Sequence, residues 1–569
     1  MGSSGGFGNP RRSPAVAGKS ALQLTAASNR APATVRVANT SLVSQTLPRM
    51  SKRFYITTAI DYVNGQPHLG HAYEKVIADV IARAHRSLGQ EVFFLTGLDE
   101  HGQKVQQAAT AEHKTAQEYC DDLAGSWKSF TQRLNLSNDD FVRTTESRHK
   151  QVVQAILSAL HAKGCFYKAS YEGYYSTKEE TFLTEKDRQP DGSFDPTYGE
   201  VTKLQEDNYY FKLKDHQDWL IQYLEANPGF VQPDYRCNEV LGFLRNNVLE
   251  DLCITRPISR LNWGIPLPFD SNFVTYVWFD ALVNYVSIPA ARGDASVPGP
   301  TNSPSSAGES LNLWPADIHV IGKDILKFHA IYWPIMLKAI GIPLPKQILA
   351  HGWWQKDGQK LSKSTGNIVD PIAVINEWGV DAFRFYVVRE LDIGPDGNWT
   401  DAGFQARYGA ELANGLGNLV NRSLSMLKRY RNGVVPAASN ELAPDAERTV
   451  SETKSLVEQN QLQAALQKIW SLVTRANQYV DHTAPFKIAK DPAQAKRLDE
   501  VLYNLAETCR ILAVLLWPFL PDTATRIFAQ LGLPGAPDKF SAASWGGLAA
   551  GHQIGEPAPL FPRRDDKKK

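Results

Sequence analysis

One stretch constrains the fold more than any other. Residues 54–58 are apolar and β-branched, and Asp61-Tyr-Val-Asn-Gly-Gln-Pro67 is rich in turn formers. Residues 72–86 carry a helical pattern that Gly89 stops, and Glu91-Val-Phe-Phe-Leu-Thr96 is a second apolar run. Strand, loop, helix and strand in that order predict a parallel α/β sheet with crossover helices. The pattern returns in Phe273-Val-Thr-Tyr-Val-Trp278, His319-Val-Ile-Gly322 and Gln347-Ile-Leu-Ala350, each read as a strand. Such sheets take ligands outside the C-terminal ends of their strands, so the loops there are where chemistry is expected.

Around this core the chain divides by composition. Residues 1–50 hold Arg11, Arg12, Lys19, Arg30, Arg36 and Arg49 and no acidic residue. They are expected to be a flexible basic extension: a tail, an organellar transit segment, or a start placed too early, with Met50 just before the first strand. Residues 51–165 are the first half of the α/β domain and 258–399 the second. Between them, residues 166–257 alternate aromatic and charged side chains, with Asp191-Gly192 suited to a turn, as in a small inserted mixed domain. Residues 293–310 are a Gly/Pro/Ser-rich loop. Periodic segments at 409–429, 450–482 and 495–516 predict a helical bundle over 400–560, and 561–569 are a polar tail.

Composition narrows the class. The 569 residues suggest three or four folding units. With 43% apolar and 21% charged residues the chain can bury large cores and is not disordered overall. Five cysteines exclude a disulfide scaffold and point to a reducing compartment. The longest apolar run, residues 511–520, contains Pro518 and falls short of the roughly 20 residues that span a bilayer. A net charge of +1 announces no nucleic-acid partner but leaves room for a local basic path.

Three loops could carry chemistry. His68-Leu-Gly-His71 lies between strand and helix, where helix N–H groups, a close backbone approach at Gly70 and two imidazoles can meet a polyphosphate. The alternative is a loop with two incidental histidines; no third metal ligand is evident nearby. Gln359-Lys-Leu-Ser-Lys-Ser-Thr-Gly-Asn367 offers two ammonium groups on a Gly/Ser-rich loop, or is simply a solvated basic loop. It lacks Walker spacing, which excludes a P-loop NTPase. In Thr96-Gly-Leu-Asp-Glu-His-Gly102, Asp99 could bind an ammonium group or cap a helix.

Taken together these motifs resemble the methionyl-tRNA synthetases, class I aminoacyl-tRNA synthetases, over about residues 52–560. His68-Leu-Gly-His71 is similar to the first class signature and Lys360-Leu-Ser-Lys-Ser364 to the second. The resemblance implies a Rossmann-like parallel sheet with an inserted connective domain, followed by an all-α anticodon-binding bundle. It implies that His68 and His71 bind ATP phosphates and stabilise the transition state, together with Lys360 and Lys363. Gly70, Gly322, Asp324 and Ser362 complete the implied nucleotide site. Ala59, Ile60, Tyr62, Asp99, Trp278, Tyr285 and His329 would form the methionine site, with Asp99 on the amino group and His329 near the sulfur. Taken alone, Trp278 and Tyr285 would be ordinary core residues; an aromatic cage also suits a thioether. In the bundle, Asn414 and Asn477 would read the anticodon, and Phe486, where many relatives have Trp, would stack on a base.

Three departures stand out: Asp61 where Pro or Tyr is usual, Leu282 where Pro is common, and Leu361 for Met in the second signature. Asp61 is expected to reshape the pocket wall. Cys165, Cys237 and Cys253 form no C-x-x-C pair, so no structural zinc is expected. The insertion is too short for a large editing domain, which leaves discrimination to the synthetic pocket. The expected substrates are L-methionine, ATP with Mg²⁺ and tRNA(Met), acted on by a monomer without a membrane partner. The expected compartment is the cytoplasm, or a mitochondrion or plastid if residues 1–50 are a transit segment. Another class I synthetase and a non-catalytic tRNA-binding homologue remain as alternatives.

Overall fold

The structure, a computed structural model, describes residues 53–63, 65–176, 181–183, 185–299, 312–361 and 367–563; for Tyr171, Thr181, Phe182, Lys186, Leu204 and Lys360 it describes the backbone only. The extension at 1–50, most of the 293–310 loop and residues 564–569 of the 561–569 tail lie outside the described residues.

A seven-stranded sheet forms the centre, and every pairing in it is parallel. Arg53–Thr58 lies in the middle, with Glu91–Asp99 on one side and Ile318–Gly322 on the other. Asp61–Tyr62 and Asp140–Arg143 pair with Glu91–Asp99. On the far side Ile348–His351 follows, then Val231–Gln232. The chain order reverses at the central strand, and a crevice opens at such a switch point. The inner strand Arg53–Thr58 is buried continuously from Phe54 onward, on both faces, as an inner strand of a parallel sheet is.

The insertion is built on two eleven-residue strands, Phe166–Ser176 and Val201–Phe211, paired antiparallel along their length and flanked by Thr181–Leu183 and Leu252–Cys253. Within the same stretch Val231–Gln232 leaves this small sheet and joins the central one.

One sequence expectation is corrected. Residues 273–278 do not form a strand throughout: Phe273–Thr275 is a short hairpin strand against Thr255–Pro257, and Val277–Ala291 is a helix. That helix is buried on nearly every side, so it carries no amphipathic period, and a short apolar run fits strand or buried helix equally. Trp278 therefore projects from a helix start.

After Trp399 the described elements are helical. Residues 450–482 divide between Ala443–Glu458 and Leu462–Thr483, with Asn460 turning the chain at φ 59°. Ala495–Leu516 is the buried central helix.

The bundle and the sheet share a polar seam. Asp381, at the start of helix Val380–Arg389, accepts the backbone N–H of Thr523 at 2.6 Å. Burial raises its pKa to about 6, against the pull of that hydrogen bond. An unfolded aspartate titrates near 3.9, so the folded protein binds the extra proton between about pH 4 and 6, and stability falls as pH rises through that window. Asp381→Asn removes the titration. The variant is expected to gain on the order of 2 kcal/mol relative to the parent between pH 4.5 and 7.5. Urea unfolding midpoints that move in parallel for the two proteins across that range would refute this.

Candidate active site

Helix Leu69–Ser87 begins in a reciprocal cap made from the two signature histidines. His68 Nδ1 accepts the N–H of Gly70 at 3.1 Å, and His71 Nδ1 accepts the N–H of His68 at 3.2 Å. Both Nδ1 atoms are thus acceptors, which puts the proton of each neutral ring on Nε2. The rings stack at 3.7 Å. A Cβ at position 70 would stand 3.1 Å from the His68 ring, so glycine lets that ring fold back over the helix start. The pair therefore offers N–H donors beside helix amides, an arrangement suited to phosphate oxygens.

Both histidines line a cavity of about 830 Å³. The same cavity is lined by Ala59, Ile60, Tyr62, Gly70, Asp99, Trp278, Tyr285, Gly322, Asp324 and His329, twelve of the residues named from sequence in one space. Lys363 and Ser362 lie outside the described residues, as does the side chain of Lys360. The Lys360 backbone pairs with Gln355 in a small sheet, and Leu361 reaches the cavity wall.

One end of the cavity is aromatic. Trp278 stacks on Phe328 at 3.6 Å, nearly parallel. His329 Nδ1 faces the Ile325 carbonyl at 2.9 Å and so carries the proton, leaving Nε2 to accept from the Tyr285 hydroxyl at 2.7 Å. Burial lowers the His329 pKa to about 4, which keeps the ring neutral near pH 7. Behind this wall Asp280 joins two helices and a strand end: its oxygens lie 2.5 Å from His101 Nδ1 and 2.6 Å from His149 Nε2. Burial raises the Asp280 pKa, but the two histidines outweigh it and hold it at about 2.

The other end is polar. Asp324 Oδ1 accepts from Trp353 Nε1 at 3.1 Å, and a Cβ on Gly322 would come within 2.5 Å of that oxygen. Lys323 Nζ and the Trp353 N–H both bond Asp396, at 2.8 and 2.9 Å.

Around Asp61, sequence reading missed the lining residues Glu74 and His351 and the lysine beneath them. Lys75 donates to Asp61 Oδ1 at 3.1 Å and to Glu74 Oε1 at 3.0 Å, and Glu74 Oε2 meets His351 Nε2 at 3.3 Å. Burial opposes the Lys75 charge, yet Asp61 and Glu74 raise its pKa above the usual lysine value. Asp61 is pushed by burial to about 7 despite Lys75, whereas Glu74, equally buried, is brought below its usual value by Lys75 and His351. The available signal was a run of charged residues inside a helix whose residues 72–85 are all buried. The other two departures, Leu282 and Leu361, are apolar wall residues.

In the bundle, Asn414 is exposed, and Asn477 Nδ2 donates to the carbonyl of Gly415 at 3.2 Å, which ties the two predicted segments together. Arg422 pairs with Asp481 at 3.2 Å. Phe486 is 45% exposed at the head of a short helix. Among the described residues no group of three or more His, Cys, Asp or Glu is placed to hold a metal, and no helix is long and apolar enough to cross a membrane.

A family model described as tRNA synthetases class I (M) matches residues 54–194 and 195–424, and one described as the anticodon binding domain of methionyl tRNA ligase matches 431–569. The methionine--tRNA ligase of Clostridium tetani is 42% identical over 526 residues, covering 91% of this chain and 79% of the relative. That of Rickettsia felis is 41% identical over 525 residues, covering 90% of this chain and 99% of the relative. Mycobacterium tuberculosis methionyl-tRNA synthetase in complex with methionyl-adenylate superposes with a TM-score of 0.83 at 36% identity, covering 90% of this chain and 100% of that one.

Proposed function

The chain belongs to the class I methionyl-tRNA synthetases, and from that premise we propose how its cavity carries out the reaction. The enzyme activates methionine with ATP and transfers it to the 3′ end of tRNA(Met). What supports a residue-level reading is the joining, in one cavity, of a donor pair at a helix start and a neutral aromatic end.

In this reading the methionine side chain enters between Trp278, Tyr285 and His329, where a flexible thioether gains sulfur–aromatic contact without meeting a charge. Ala59, Ile60 and Tyr62 form the facing wall, and Asp99 takes the ammonium group. The adenosine lies over Gly322 and Asp324, with the phosphates beside Gly70 and the two histidines. The methionine carboxylate attacks the α-phosphorus in line, the bond to the β-phosphate oxygen breaks, and pyrophosphate leaves. His68 and His71 donate Nε2–H to phosphate oxygens as charge moves onto them. Lys360, Ser362 and Lys363 close over the phosphates. Mg²⁺ enters with ATP and neutralises phosphate charge. The terminal adenosine hydroxyl of the tRNA then attacks the acyl carbon and AMP leaves. Asn414, Asn477 and Phe486 face the anticodon, Phe486 by stacking. The domain limits set out from sequence, a monomeric state and a cytoplasmic site (organellar if residues 1–50 are a transit segment) belong to the same reading.

Amino-acid-dependent exchange of pyrophosphate into ATP tests it. Methionine is expected to support exchange and cysteine and leucine are not. Exchange with either of those but not with methionine would overturn the reading, as would tRNA binding without any exchange.

A further inference from the structure

Lys75 has no role in the reaction as described, yet its side chain is only 1% exposed and its ammonium lies directly under the cavity. It donates to the Ala59 carbonyl at 2.9 Å, to Asp61 Oδ1 at 3.1 Å and to Glu74 Oε1 at 3.0 Å. Three donors meet three acceptors, and each acceptor belongs to a cavity-lining residue while Lys75 itself does not reach the cavity.

The bonds to Ala59 and Asp61 cross from the helix that carries His68 and His71 to the wall at 59–62. The backbone of that wall pairs with the sheet: Ala59 N–H bonds the Val320 carbonyl at 3.1 Å, and Asp61 and Tyr62 pair with Leu98 and Asp99. Asp61 Oδ1 also stands 4.0 Å from His71 Nε2. Lys75 thus connects the wall to the signature helix. The aspartate that departs from the usual sequence at position 61 has a lysine on the helix to answer it.

We propose that Lys75 and Asp61 form one positioning unit for methionine: Lys75 holds the wall at 59–62 in register with the signature helix, and Asp61 is its counter-group. The proposal rests on the methionine-activating reading above. Removing the ammonium strands three buried acceptors and cuts the tie between the wall at 59–62 and the signature helix, so the wall on the amino-acid side of the cavity is displaced. Lys75 itself makes no bond to Gly322, Asp324, Trp353 or Asp396, which form the adenosine end.

The test is steady-state exchange with methionine and ATP varied separately, in the unaltered enzyme, Lys75→Met, Asp61→Asn and the double variant. Lys75→Met is expected to raise the methionine KM about tenfold while the ATP KM stays within about twofold. Asp61→Asn is expected to raise it about threefold, because Lys75 keeps Ala59 and Glu74. The double variant is expected to bind methionine better than Lys75→Met alone, since one stranded carboxylate is gone. A methionine KM unchanged in Lys75→Met overturns the proposal. So does a joint rise in both KM values with no recovery in the double variant, the pattern of general structural damage. If Lys75→Met does not fold, Asp61→Asn decides, and an unchanged methionine KM overturns the proposal. Absence of exchange in the unaltered enzyme overturns the activity reading and this proposal with it; exchange with normal variants overturns the proposal alone.

Discussion

Replacing His71 with alanine is expected to slow methionine-dependent exchange by about 10²- to 10³-fold, chiefly through kcat. The His71 ring does two things that must be separated. Its Nδ1 accepts the His68 N–H at 3.2 Å and so caps the helix, while the tautomer this selects leaves Nε2–H as a donor beside the cavity. Losing a cap costs about 1 kcal/mol of stability. Losing a donor that meets charge developing in the transition state costs roughly 3–4 kcal/mol of barrier. His71→Asn can keep the cap through its side-chain oxygen without placing a donor where Nε2 stood. It should therefore recover thermal stability and remain slow. If His71→Asn and His71→Ala are both within about threefold of the parent in kcat, the ring is only a cap, and the role proposed for it fails.

The second large effect concerns stability. Arg384→Met is expected to destabilise the protein by about 3–5 kcal/mol. Arg384 and Asp79 are both fully buried, and Arg384 Nη2 bonds Asp79 Oδ2 at 2.7 Å. The remaining donors go to carbonyls of Phe519, Leu134 and Pro518 at 2.9, 3.1 and 3.1 Å, and more weakly to that of Asn135 at 3.5 Å, which also accepts from Arg83. The guanidinium thus joins the signature helix, the turn after helix Ala116–Arg133 and the start of the last bundle helices. Removing it strands three carbonyls and leaves Asp79 with Arg83 at 2.8 Å as its other buried charge partner. Asp79 is held below the usual carboxylate range, burial being outweighed by Arg384 and then Arg83. A chain of several cores need not unfold in one step, so the quantity to follow is the first transition in urea. Asp79→Asn combined with Arg384→Met should cost less than the two changes summed, because the stranded charge is gone. A first transition shifted by less than about 1 kcal/mol in Arg384→Met would show that the seam is not held by this pair.

How much of this was legible beforehand can be followed residue by residue. His68, Gly70 and His71 could be read because a helix start is a local event: three residues set the cap, the tautomers and the donors. Asp99 reaches the cavity because it ends a strand of the parallel sheet, a placement the strand-end position already suggested. Trp278 lines the cavity, but from a helix rather than the strand read in the sequence. A helix buried all round shows no period, and only its packing partners distinguish it from a strand. Phe328, stacked on Trp278, was not singled out at all, since an isolated phenylalanine in sequence looks like core.

The sequence by itself determined the α/β order of elements, the helix start at His68 and the helical nature of the second half. Each of these depends on periodicity or on side chains a few residues apart. Tertiary structure alone decided which charges survive burial. Asp61 meets Lys75 across 14 positions, Glu74 meets His351 across 277, and Asp79 meets Arg384 across 305. A buried charge is tolerated only if a partner arrives from elsewhere in the fold. No local pattern records that arrival, so the same Asp61 that read as an unexplained departure became, in the folded chain, one half of a pair.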